Sequence, residues 1–515
     1  MTSLPYAILI ISIVTKIIAI LGDQTTDTMK IVIVGAGISG CAAYLSLQKH
    51  LPQSAGDTHS YKIYEAYDTL RDTTFRERAD AASGEESTRS ATLVVGGGLG
   101  IGPNGLNVLK RLDESLFRDA VRSGYPYSNF KIKSAYGWTL MDVAATADVN
   151  GQTMNSVAMS RHSIWKALRD RVPDDVIVNK KVARVIPRGS SSGKHLIEFT
   201  DGSESVEADL VLGADGLKST VKCALFDAEA GGQDPYPPQY EELYIDVKDS
   251  FRGLTGVGGF HTVTESLRKH IPKGTMTITF GGNGFFGYMY SSSAVTDDHR
   301  DSPSHLPTPG DTITWWSTYG IDECPDPKAV DKAAINQDLR TRHAHWKDPV
   351  IQEIIASVEV ETMWPTWTTP DLPVWYKDGI VLLGDAAHAL PPTSGQGSGQ
   401  ALEDVESFSL FLSHYLKKAY QDGQVESSEK EAIQLAAKNH MALREPHVKA
   451  ILDEARQRQQ SKKNMNIVQE FMMYLILYLV GCFASANPAK AVLEYNVADE
   501  VRKVLSEEET NESVA

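Results

Sequence analysis

Short apolar runs that lead into glycine recur at three widely separated places along the chain. These runs are Ile31–Val34, Leu210–Leu212 and Ile380–Leu383. An unbroken apolar run of this length is typical of a strand that is buried on both faces, as in a parallel sheet covered by helices. Each run continues through a glycine-containing turn into a helical pattern, so the sequence predicts an α/β fold assembled from distant segments.

The first run opens a stretch, Lys30–Glu65, with the order strand, glycine-rich turn, helix, strand and acid. The turn is the G-x-G-x-x-G sequence Gly35–Gly40, and a helical pattern follows from Cys41 to about His50. Tyr61–Tyr64 predicts the next strand. This order is the dinucleotide-binding arrangement, and it predicts a nucleotide site at the turn.

Each feature of that arrangement has a physical role, and the residues of this turn and strand can fill it. Gly35 permits the tight turn, Gly37 lets the backbone approach a pyrophosphate, and Gly40 lets the helix pack closely on the sheet. The N-terminus of the helix presents free N–H groups and a partial positive charge to phosphates. Glu65, at the end of the second strand, is placed to accept hydrogen bonds from ribose hydroxyls.

The same hexapeptide spacing occurs twice more in the chain without this context. Gly100–Gly105 has no acid at a matching distance. Gly282–Gly287 lies between the strand-like runs Thr275–Phe280 and Tyr288–Tyr290, which predicts a hairpin turn. Only the copy at Gly35–Gly40 therefore predicts a nucleotide site.

The third apolar run leads into Gly384–Gln400, which is followed by a predicted helix from Ala401 to about Lys417. Three glycines leave the backbone bare just before this helix, at Gly395, Gly397 and Gly399. A bare helix N-terminus suits a ligand that develops negative charge, as a reduced flavin does at its N1–C2=O2 edge. Asp385 is then a candidate to hold ribityl hydroxyls; the alternative is an ordinary glycine-rich surface loop.

The remaining segments predict a second, sheet-containing region and several helices. Ser160 is a plausible N-cap for a helix that begins near Arg161. Val176–Leu212 suits short strands, and Tyr240–Tyr319 alternates threonine and aromatic residues with glycine turns, which favours an antiparallel sheet. Ala329–Val360 is mostly helical in pattern. Asp68–Ser90 is predicted to be a surface loop, and Ala91–Val95 a strand.

Two longer apolar stretches raise the question of membrane attachment. Leu4–Leu21 is just long enough to span a bilayer, although Lys16 interrupts it. Three interpretations stay open: a membrane anchor, a soluble enzyme whose true start is Met29, and a cleaved signal. Phe471–Ala486 is short for spanning and more typical of a packed terminal helix that lies, at most, against the bilayer.

Composition narrows the function classes further. The chain has 515 residues, which is enough for several hydrophobic cores. Its formal charge is −16 and no basic cluster is evident, which argues against nucleic-acid binding. Its four cysteines are far apart and form no C-x-x-C pair, so neither a disulfide framework nor a zinc site is indicated. No metal site is predicted.

Taken together in their order, the motifs resemble those of the class A flavoprotein monooxygenases, the family of para-hydroxybenzoate hydroxylase and its fungal natural-product relatives. The resemblance rests on Gly35–Gly40 with Glu65, on Asp215-Gly216, and on Gly384-Asp385 through Gly399. Gly96–Gly105 and Arg161 also match, so the resemblance covers about residues 30–447. Two features depart from the family pattern: the long Asp68–Ser90 segment and the apolar N-terminus.

The resemblance implies a set of FAD-binding residues. They are Gly35, Gly37, Gly40, Glu65, Gly98, Arg161, Asp215, Asp385, Gly397 and Ser398. Within this set, Glu65 is expected at the adenosine ribose, Arg161 at the phosphate or ribityl region, and Asp385 at the ribityl–pyrophosphate part. Gly397 and Ser398 are expected near the isoalloxazine.

Two of these residues keep an alternative role, and one histidine stays outside the set. Asp215 is expected to support the pyrophosphate or else to cap a helix, and Arg161 has the alternative of an ordinary surface charge. His388 lies in the third motif, where a histidine is more often a structural or flavin-side contact, so no catalytic residue is assigned.

The resemblance also implies the organisation of the chain. The expected parts are an N-terminal hydrophobic segment (1–28), a Rossmann-like FAD-binding domain in two pieces (29–225 and 366–450), an inserted mixed or antiparallel β-sheet substrate domain (226–365), and a C-terminal helical region with an acidic tail (451–515). The aromatic residues of the inserted sheet are expected to wall an apolar cavity or to form plain core. They are Phe285, Phe286, Tyr288, Tyr290, Trp315, Trp316 and Tyr319.

The implied function is that of an FAD-dependent monooxygenase that uses NADPH, as a transient co-substrate, and O2. The expected reaction is hydroxylation or epoxidation of an apolar small molecule, a polyketide or terpenoid of secondary metabolism. FAD is expected to be noncovalent, because no histidine or cysteine attachment motif adjoins the flavin loops. The enzyme is expected at a membrane through residues 4–21, facing the cytosol, or in the cytoplasm if translation starts at Met29.

A non-catalytic alternative stays open, and an alternative from another redox class is disfavoured. Prenyl-protein escort proteins use a related nucleotide-binding fold without catalysis. Flavin halogenases share the fold but carry W-x-W-x-I-P, and the spacing of Trp364 and Trp367 does not match it.

Overall fold

The structure is a computed structural model of the chain. It describes residues 29–53, 59–69, 97–149, 151–188, 193–226, 234–240, 253–321, 331–360, 363–421, 425–459, 465–483 and 490–514. The predicted anchor Leu4–Leu21, nearly all of the Asp68–Ser90 loop and the predicted strand Ala91–Val95 lie outside these residues.

The strands in the described part of the chain are numbered in chain order. They are β1 (Lys30–Val34), β2 (Ser60–Glu65), β3 (Gly98–Ile101), β4 (Tyr125–Tyr127), β5 (Asn129–Ser134), β6 (Thr139–Ala144), β7 (Thr146–Val149), β8 (Gln152–Ser160), β9 (Ile177–Asn179), β10 (Val182–Ile186), β11 (His195–Phe199), β12 (Val206–Ala208), β13 (Leu210–Gly213), β14 (Gln239–Tyr240), β15 (Gly253–Thr262), β16 (Thr275–Gly281), β17 (Gly284–Tyr290), β18 (Thr312–Ile321), β19 (Trp364–Pro365), β20 (Trp367–Thr368), β21 (Tyr376–Lys377) and β22 (Ile380–Leu382).

The helices are numbered in the same way. They are α1 (Ile38–His50), α2 (Pro103–Leu112), α3 (Glu114–Arg122), α4 (Arg161–Arg169), α5 (Thr220–Leu225), α6 (Glu265–Arg268), α7 (Lys332–His343), α8 (Pro349–Ser357), α9 (Asp385–His388), α10 (Gly397–Gln421), α11 (Val425–Gln459), α12 (Ile467–Phe483), α13 (Lys490–Leu493) and α14 (Val497–Val514).

The three apolar runs meet in one six-stranded sheet of order β21-β22-β13-β1-β2-β9. β1 pairs in parallel with both β2 and β13, and β13 pairs in parallel with β22. Alternate residues of β1 enter two cores: Ile31 and Ile33 face the helices α1, α4 and α10, whereas Val32 and Val34 face the layer formed by β10–β12 and α5. Burial on both faces explains why these strands are continuously apolar.

The second large sheet has seven strands in the order β19-β15-β18-β17-β16-β5-β6. Its pairs are antiparallel except for β5 with β16, which is parallel. β16 and β17 form the hairpin predicted at Gly282–Gly287, with Gly281 opposite Gly284. Helices α7 and α8 cover one face of this sheet, as the helical pattern of Ala329–Val360 predicted. The predicted α/β fold with a mixed inserted sheet is therefore confirmed.

The C-terminal region is helical, as predicted, but its apolar helix α12 is largely uncovered. Met473 and Tyr474 of α12 pack against Leu140 of β6, while most of its other apolar side chains are exposed. The expectation that Phe471–Ala486 forms a packed terminal helix is thus correct for one stripe of the helix only. Among the residues that the structure describes, no helix has both the length and the apolar character needed to cross a bilayer.

Candidate functional site

The glycine-rich turn after β1 has a geometry that only glycine tolerates at two positions. Gly35 has φ +100°, and a Cβ there would lie 2.5 Å from the backbone oxygen of Ala214 on the neighbouring strand end. A Cβ on Gly40 would overlap the backbone oxygen of Gly35, because α1 leaves the sheet at close range. These two glycines are required by the fold itself.

Gly37, in contrast, is surrounded by open space. It is the N-cap residue of α1, no side chain caps the helix there, and a Cβ built on it meets no atom within 4 Å. Because the first-turn N–H groups of a helix have no intrahelical partner, this space is suited to an anion such as a pyrophosphate. The helix begins at Ile38, three residues before the predicted start, since the glycine-rich turn already supplies its first turn.

Glu65 closes the turn from the end of β2. One carboxylate oxygen accepts a hydrogen bond from the Ala36 N–H at 2.6 Å and the other from the Tyr67 N–H at 2.9 Å. The side chain is buried, and this burial raises the pKa of Glu65 above its usual value, an effect that the amide hydrogen bonds oppose. Each oxygen keeps a lone pair that a ribose hydroxyl can use.

Helix α4 brings two further side chains to the turn. Ser160 caps α4 by accepting a hydrogen bond from Ser163 N–H at 2.9 Å, as predicted. One turn later, the Trp165 indole N–H donates to the Ala36 carbonyl at 2.8 Å. At the start of the helix, Arg161 Nη2 lies 3.9 Å from Asp385 Oδ2, and both side chains are about two-fifths exposed. An exposed pair at this distance is weakly held, which leaves both groups available to a ligand.

Asp215 lies at the end of β13, next to the Gly35 turn. Its Oδ2 accepts hydrogen bonds from the backbone N–H of Thr220 at 2.6 Å and of Val221 at 3.3 Å, so it helps to cap α5. Its Oδ1 is buried and accepts no hydrogen bond within the described residues. Burial raises the pKa of Asp215. The capping role is visible in the geometry, and the unpartnered oxygen leaves room for a cofactor contact.

The third motif packs directly on the first. Gly384 has φ +60°, and a Cβ there would lie 2.5 Å from Ser39 Oγ of α1. After the turn, α10 begins at Gly397, so the predicted start at Ala401 is wrong by four residues. Glycine is unfavourable inside a helix, but tertiary packing requires a small residue at Gly399, because a Cβ there would lie 3.2 Å from Asn104 Nδ2.

The space around Gly395 and Gly397 in the third motif is as open as the space around Gly37 in the first motif. A Cβ built on Gly395 or Gly397 meets no atom within 4 Å, and Ser398 is partly exposed beside them. Gly397 and Ser398 are the first two residues of α10, so their N–H groups lie at the positive end of the helix dipole. The space and the dipole suit the anionic edge of a reduced ring system.

The second glycine hexapeptide and Gly98 have structural explanations. A Cβ on Gly105 would lie 3.1 Å from the Cα of Gly399, so α2 packs against the start of α10. Asn104 Nδ2 donates to Gln396 Oε1 at 3.0 Å in the same contact. Gly98 pairs with Ser160, next to Arg161, and a Cβ on it would collide with Thr314 of the second sheet. Gly105 therefore allows α2 to pack against α10, and Gly98 allows β3 to pack against the second sheet.

A buried charge network that sequence reasoning missed holds the third motif in place. Arg444 of α11 donates to Glu403 at 2.7 Å and to Asp404 at 2.9 Å, and none of the three side chains is exposed. Asp404 also accepts a hydrogen bond from the Gly384 N–H at 3.0 Å and contacts His388 Nε2 at 2.5 Å. His388 is therefore a structural contact, as the sequence suggested.

The electrostatics of this network follow from burial and pairing. Burial alone would disfavour the carboxylate, but the adjacent His388 and Arg444 hold the pKa of Asp404 well below its usual range. Burial opposes the charge on Arg444 as well, yet the two carboxylates raise the pKa of its guanidinium above the usual value. Burial lowers the pKa of His440 to about 4, so this neighbouring histidine is neutral near pH 7.

The predicted aromatic wall is divided between the two faces of the second sheet. Four of its members pack against α7 and α8 and are plain core: Phe286, Tyr288, Tyr290 and Trp315. Tyr319, on the same face, lies under the Arg342 guanidinium and lines a cavity at the end of the sheet. Trp316 is on the opposite face, with Met276 and Met289, where the sheet approaches β4 and β8. A cavity of about 810 Å³ lies at the end of the sheet, between Tyr136, Arg342 and Glu470, and none of the predicted FAD-binding residues lines it.

The structure brings together most of the residues named from sequence. The turn at Gly35–Gly40, Glu65 and Asp215 meet at the ends of neighbouring strands; Arg161 reaches Asp385, and Gly384 contacts α1. One region therefore contains the open N-termini of α1 and α10, the unpartnered buried oxygen Asp215 Oδ1, and the weakly held pair of Arg161 and Asp385. These features fit the pyrophosphate, hydroxyl and ring portions of FAD.

Sequence comparison supports the same cofactor. The FAD binding domain family matches residues 188–442. Salicylate hydroxylase of Pseudomonas putida is 25% identical over 404 residues, which are 73% of this chain and 75% of that protein. The FAD-dependent monooxygenase andE of Emericella variicolor is 25% identical over 62% of this chain and 63% of its own length.

Comparison with solved structures concerns the fold. The structure of Klebsiella pneumoniae HpxO complexed with FAD and uric acid superposes with a TM-score of 0.60 at 18% identity, covering 88% of this chain and 93% of that one. The comparisons confirm the predicted fold, the resemblance to FAD-dependent monooxygenases and the FAD cofactor.

Proposed function

We propose that this chain, an FAD-dependent flavoprotein of the monooxygenase class, uses NADPH and O2 to insert one oxygen atom into an apolar small molecule of secondary metabolism. The observation that carries the proposal is the packing of the three motifs against one another beside two open helix N-termini, at Gly37 and Gly397. Similarity to a fungal FAD-dependent monooxygenase, andE, supports the same class of reaction.

The first helix N-terminus and the strand ends would hold the nucleotide half of FAD. The first-turn N–H groups of α1 would bind the pyrophosphate, because no protein group caps them. Glu65 would accept hydrogen bonds from the adenosine ribose, since its two amide bonds fix the carboxylate at the end of β2. Arg161 and Asp385, whose side chains lie 3.9 Å apart, would bind phosphate and ribityl hydroxyls, respectively.

The second helix N-terminus would act on the reacting ring. When bound and reduced, FAD supplies the electrons and the activation of O2 for the transfer of one oxygen atom to substrate. The N–H groups of Gly397 and Ser398 would stabilise negative charge at the ring edge. Arg444 donates to the Gln400 side chain at 2.5 Å and pairs with Glu403 and Asp404, which would keep the first turns of α10 fixed, so the dipole would need little reorganisation during the reaction.

The substrate class is inferred from the face of the second sheet that approaches β4 and β8, where the partly buried Trp316 lies beside the buried Met276 and Met289. Such apolar surroundings would favour a hydrophobic substrate and would exclude water from the reacting atoms. A polyketide or terpenoid fits this chemistry. No side chain is assigned as a general acid or base.

Glycine substitutions test the proposed cofactor site without disturbing the fold. Gly37→Val and Gly397→Val add a side chain to open space, so the apoprotein should keep wild-type thermal stability while bound FAD falls severely. Gly259→Val is the matched control, because a Cβ there makes one ordinary contact at 3.8 Å, on a strand. Wild-type flavin content in both site variants would contradict the proposed placement.

Oxygen consumption tests the proposed activity. The FAD-loaded enzyme should consume O2 when NADPH is added, and more slowly with NADH at the same concentration. A non-catalytic escort protein would consume none with either nucleotide. Product mass with a panel of apolar phenols and prenylated aromatics would then show the addition of one oxygen atom, and NMR of the product would separate hydroxylation from epoxidation.

A further inference from the structure

Helix α12 exposes a large apolar surface that the flavin chemistry does not use. Nine of its side chains are between 41% and 68% exposed: Ile467, Val468, Phe471, Met472, Leu475, Ile476, Tyr478, Leu479 and Val480. At 100° per residue, these side chains cover an arc of about 220° around the helix axis. A surface helix of a soluble protein normally exposes its polar side, whereas α12 exposes apolar side chains to water.

The one charged residue of α12 is turned towards the protein. The Tyr474 hydroxyl lies 2.5 Å from the Glu470 carboxylate and 2.9 Å from the Phe280 carbonyl oxygen, and its single proton is donated to one of these two acceptors. Close to the other end of the helix, a Cβ on Gly481 would lie 2.7 Å from the Leu140 backbone oxygen. One narrow stripe therefore fixes α12 to the second sheet, and the rest of its circumference is apolar except for the exposed Gln469 and Cys482.

Aromatic side chains of the β5–β6 turn extend this surface. Trp138 is 52% exposed and Tyr136 is 38% exposed, and their rings stack with centroids 5.5 Å apart. Phe471 of α12 lies 5.5 Å from Tyr136 and 5.9 Å from Trp138 between ring centroids. Exposed tryptophan and tyrosine beside an apolar helix are typical of a membrane–water interface. The nine exposed residues of α12 with Tyr136 and Trp138 are called the apolar ridge.

The apolar ridge fits a lipid surface better than a protein partner. A helix partner covers one stripe, whereas acyl chains conform to a convex arc of this width. Seventeen residues are too few to span a bilayer, but they suffice for a helix that lies in the interface. In sequence, Arg458, Lys462 and Lys463 precede the helix in a chain of net charge −16, and local basic residues complement anionic headgroups.

We propose that the apolar ridge docks the enzyme on a lipid bilayer, with α12 lying parallel to the membrane plane and its exposed arc in the headgroup–acyl boundary. This attachment is separate from any anchor at Leu4–Leu21, which lies outside the described residues. The proposal does not rest on the proposed reaction, because it uses none of the residues of the flavin cleft.

A site-specific probe tests the docking without interference from the N-terminal segment. The full-length chain would carry an environment-sensitive fluorophore at Ile476→Cys, in a background with Cys223, Cys324 and Cys482 replaced by serine and the buried Cys41 retained. Val295→Cys, which is 79% exposed on another surface, is the matched control. Vesicles of phosphatidylcholine and phosphatidylserine at about four to one provide an anionic surface.

The probe at position 476 should shift to the blue with vesicles and be quenched by lipids that carry a spin label on the acyl chain. The probe at position 295 should do neither. An unchanged spectrum at position 476 would overturn the proposal, and so would an equal shift at both positions. A lipid-independent shift at 476 that accompanies dimer formation in sedimentation would overturn it in favour of a second copy.

Vesicle sedimentation provides an independent measurement. In a chain that begins at Met29 and so lacks the Leu4–Leu21 segment, the double substitution Ile476→Glu with Leu479→Glu places charge on the exposed arc and should lower the vesicle-bound to free ratio by at least about tenfold. Val295→Glu should leave that ratio unchanged, and both proteins should retain wild-type FAD content, which verifies folding. Wild-type vesicle binding by the double variant would overturn the proposal.

Discussion

Replacing Arg444 by methionine should destabilise the protein more than any loss of a surface charge. Arg444 pairs with Glu403 and Asp404, and all three side chains are completely buried. Methionine removes the cation and leaves two carboxylates in a site without solvent. Removing one partner of a buried ion pair typically costs about 3–5 kcal/mol, so we expect the free energy of unfolding to fall by about that amount.

The effect should reach the cofactor through Gly384. Asp404 accepts the Gly384 N–H and contacts His388, so an unpaired Asp404 should shift or protonate and loosen the turn before α9. Arg444→Met should therefore also reduce FAD content. Urea unfolding of the apoprotein measures stability separately from the cofactor, which would otherwise add its own binding free energy.

Two comparison proteins make this test specific. Arg118→Met removes a pair that is more than half exposed and should change the unfolding free energy by less than about 0.5 kcal/mol. Combining Arg444→Met with Glu403→Gln and Asp404→Asn removes all three charges and should recover much of the loss, because neutral groups do not carry the charge-burial penalty. A loss below about 1 kcal/mol for Arg444→Met alone would refute the reasoning.

Three further predictions concern the cofactor site and pH. Glu65→Ala and Asp385→Ala should each sharply reduce FAD occupancy, measured by flavin absorbance after gel filtration; occupancy equal to wild type in both would remove the assignment. Trp165→Phe removes the hydrogen bond to the Ala36 carbonyl and should weaken FAD binding about tenfold by titration, because that bond holds the glycine turn. Burial lowers the pKa of His440 to about 4, whereas the pKa in the unfolded chain is about 6.5. Protonation therefore favours the unfolded chain, and the free energy of unfolding should fall as the pH falls from about 6.5 to 4. This group contributes up to about 1.4 kcal/mol per pH unit. His440→Gln should flatten that slope in urea titrations at several pH values, and an unchanged slope would contradict this account.

The parts of the fold that sequence predicted are those fixed by local pattern. The apolar runs at β1, β13 and β22 predicted buried strands because burial on both faces demands continuous hydrophobicity. Ser160 predicted a helix start because its side chain makes a local hydrogen bond. The glycine-rich turn predicted its own geometry because Gly35 has a positive φ that glycine tolerates.

The parts that sequence did not predict depend on contacts between distant segments. Arg444 is 40 residues from Asp404, and nothing in its local sequence marks it as buried. The start of α10 at Gly397 depends on packing of α2, which overrides the low helix propensity of glycine. The apolar sequence of α12 suggested a packed helix, and only the structure reveals that one stripe alone is covered.

The most direct test of the proposed reaction follows oxygen from heavy O2 gas into product. The purified enzyme, NADPH and an accepted apolar substrate would be incubated under labelled O2 in ordinary water. The account predicts a product that carries one labelled oxygen atom per turnover, with one NADPH consumed for each. A product whose added oxygen comes from water, or dehydrogenation with all O2 released as hydrogen peroxide, would contradict it.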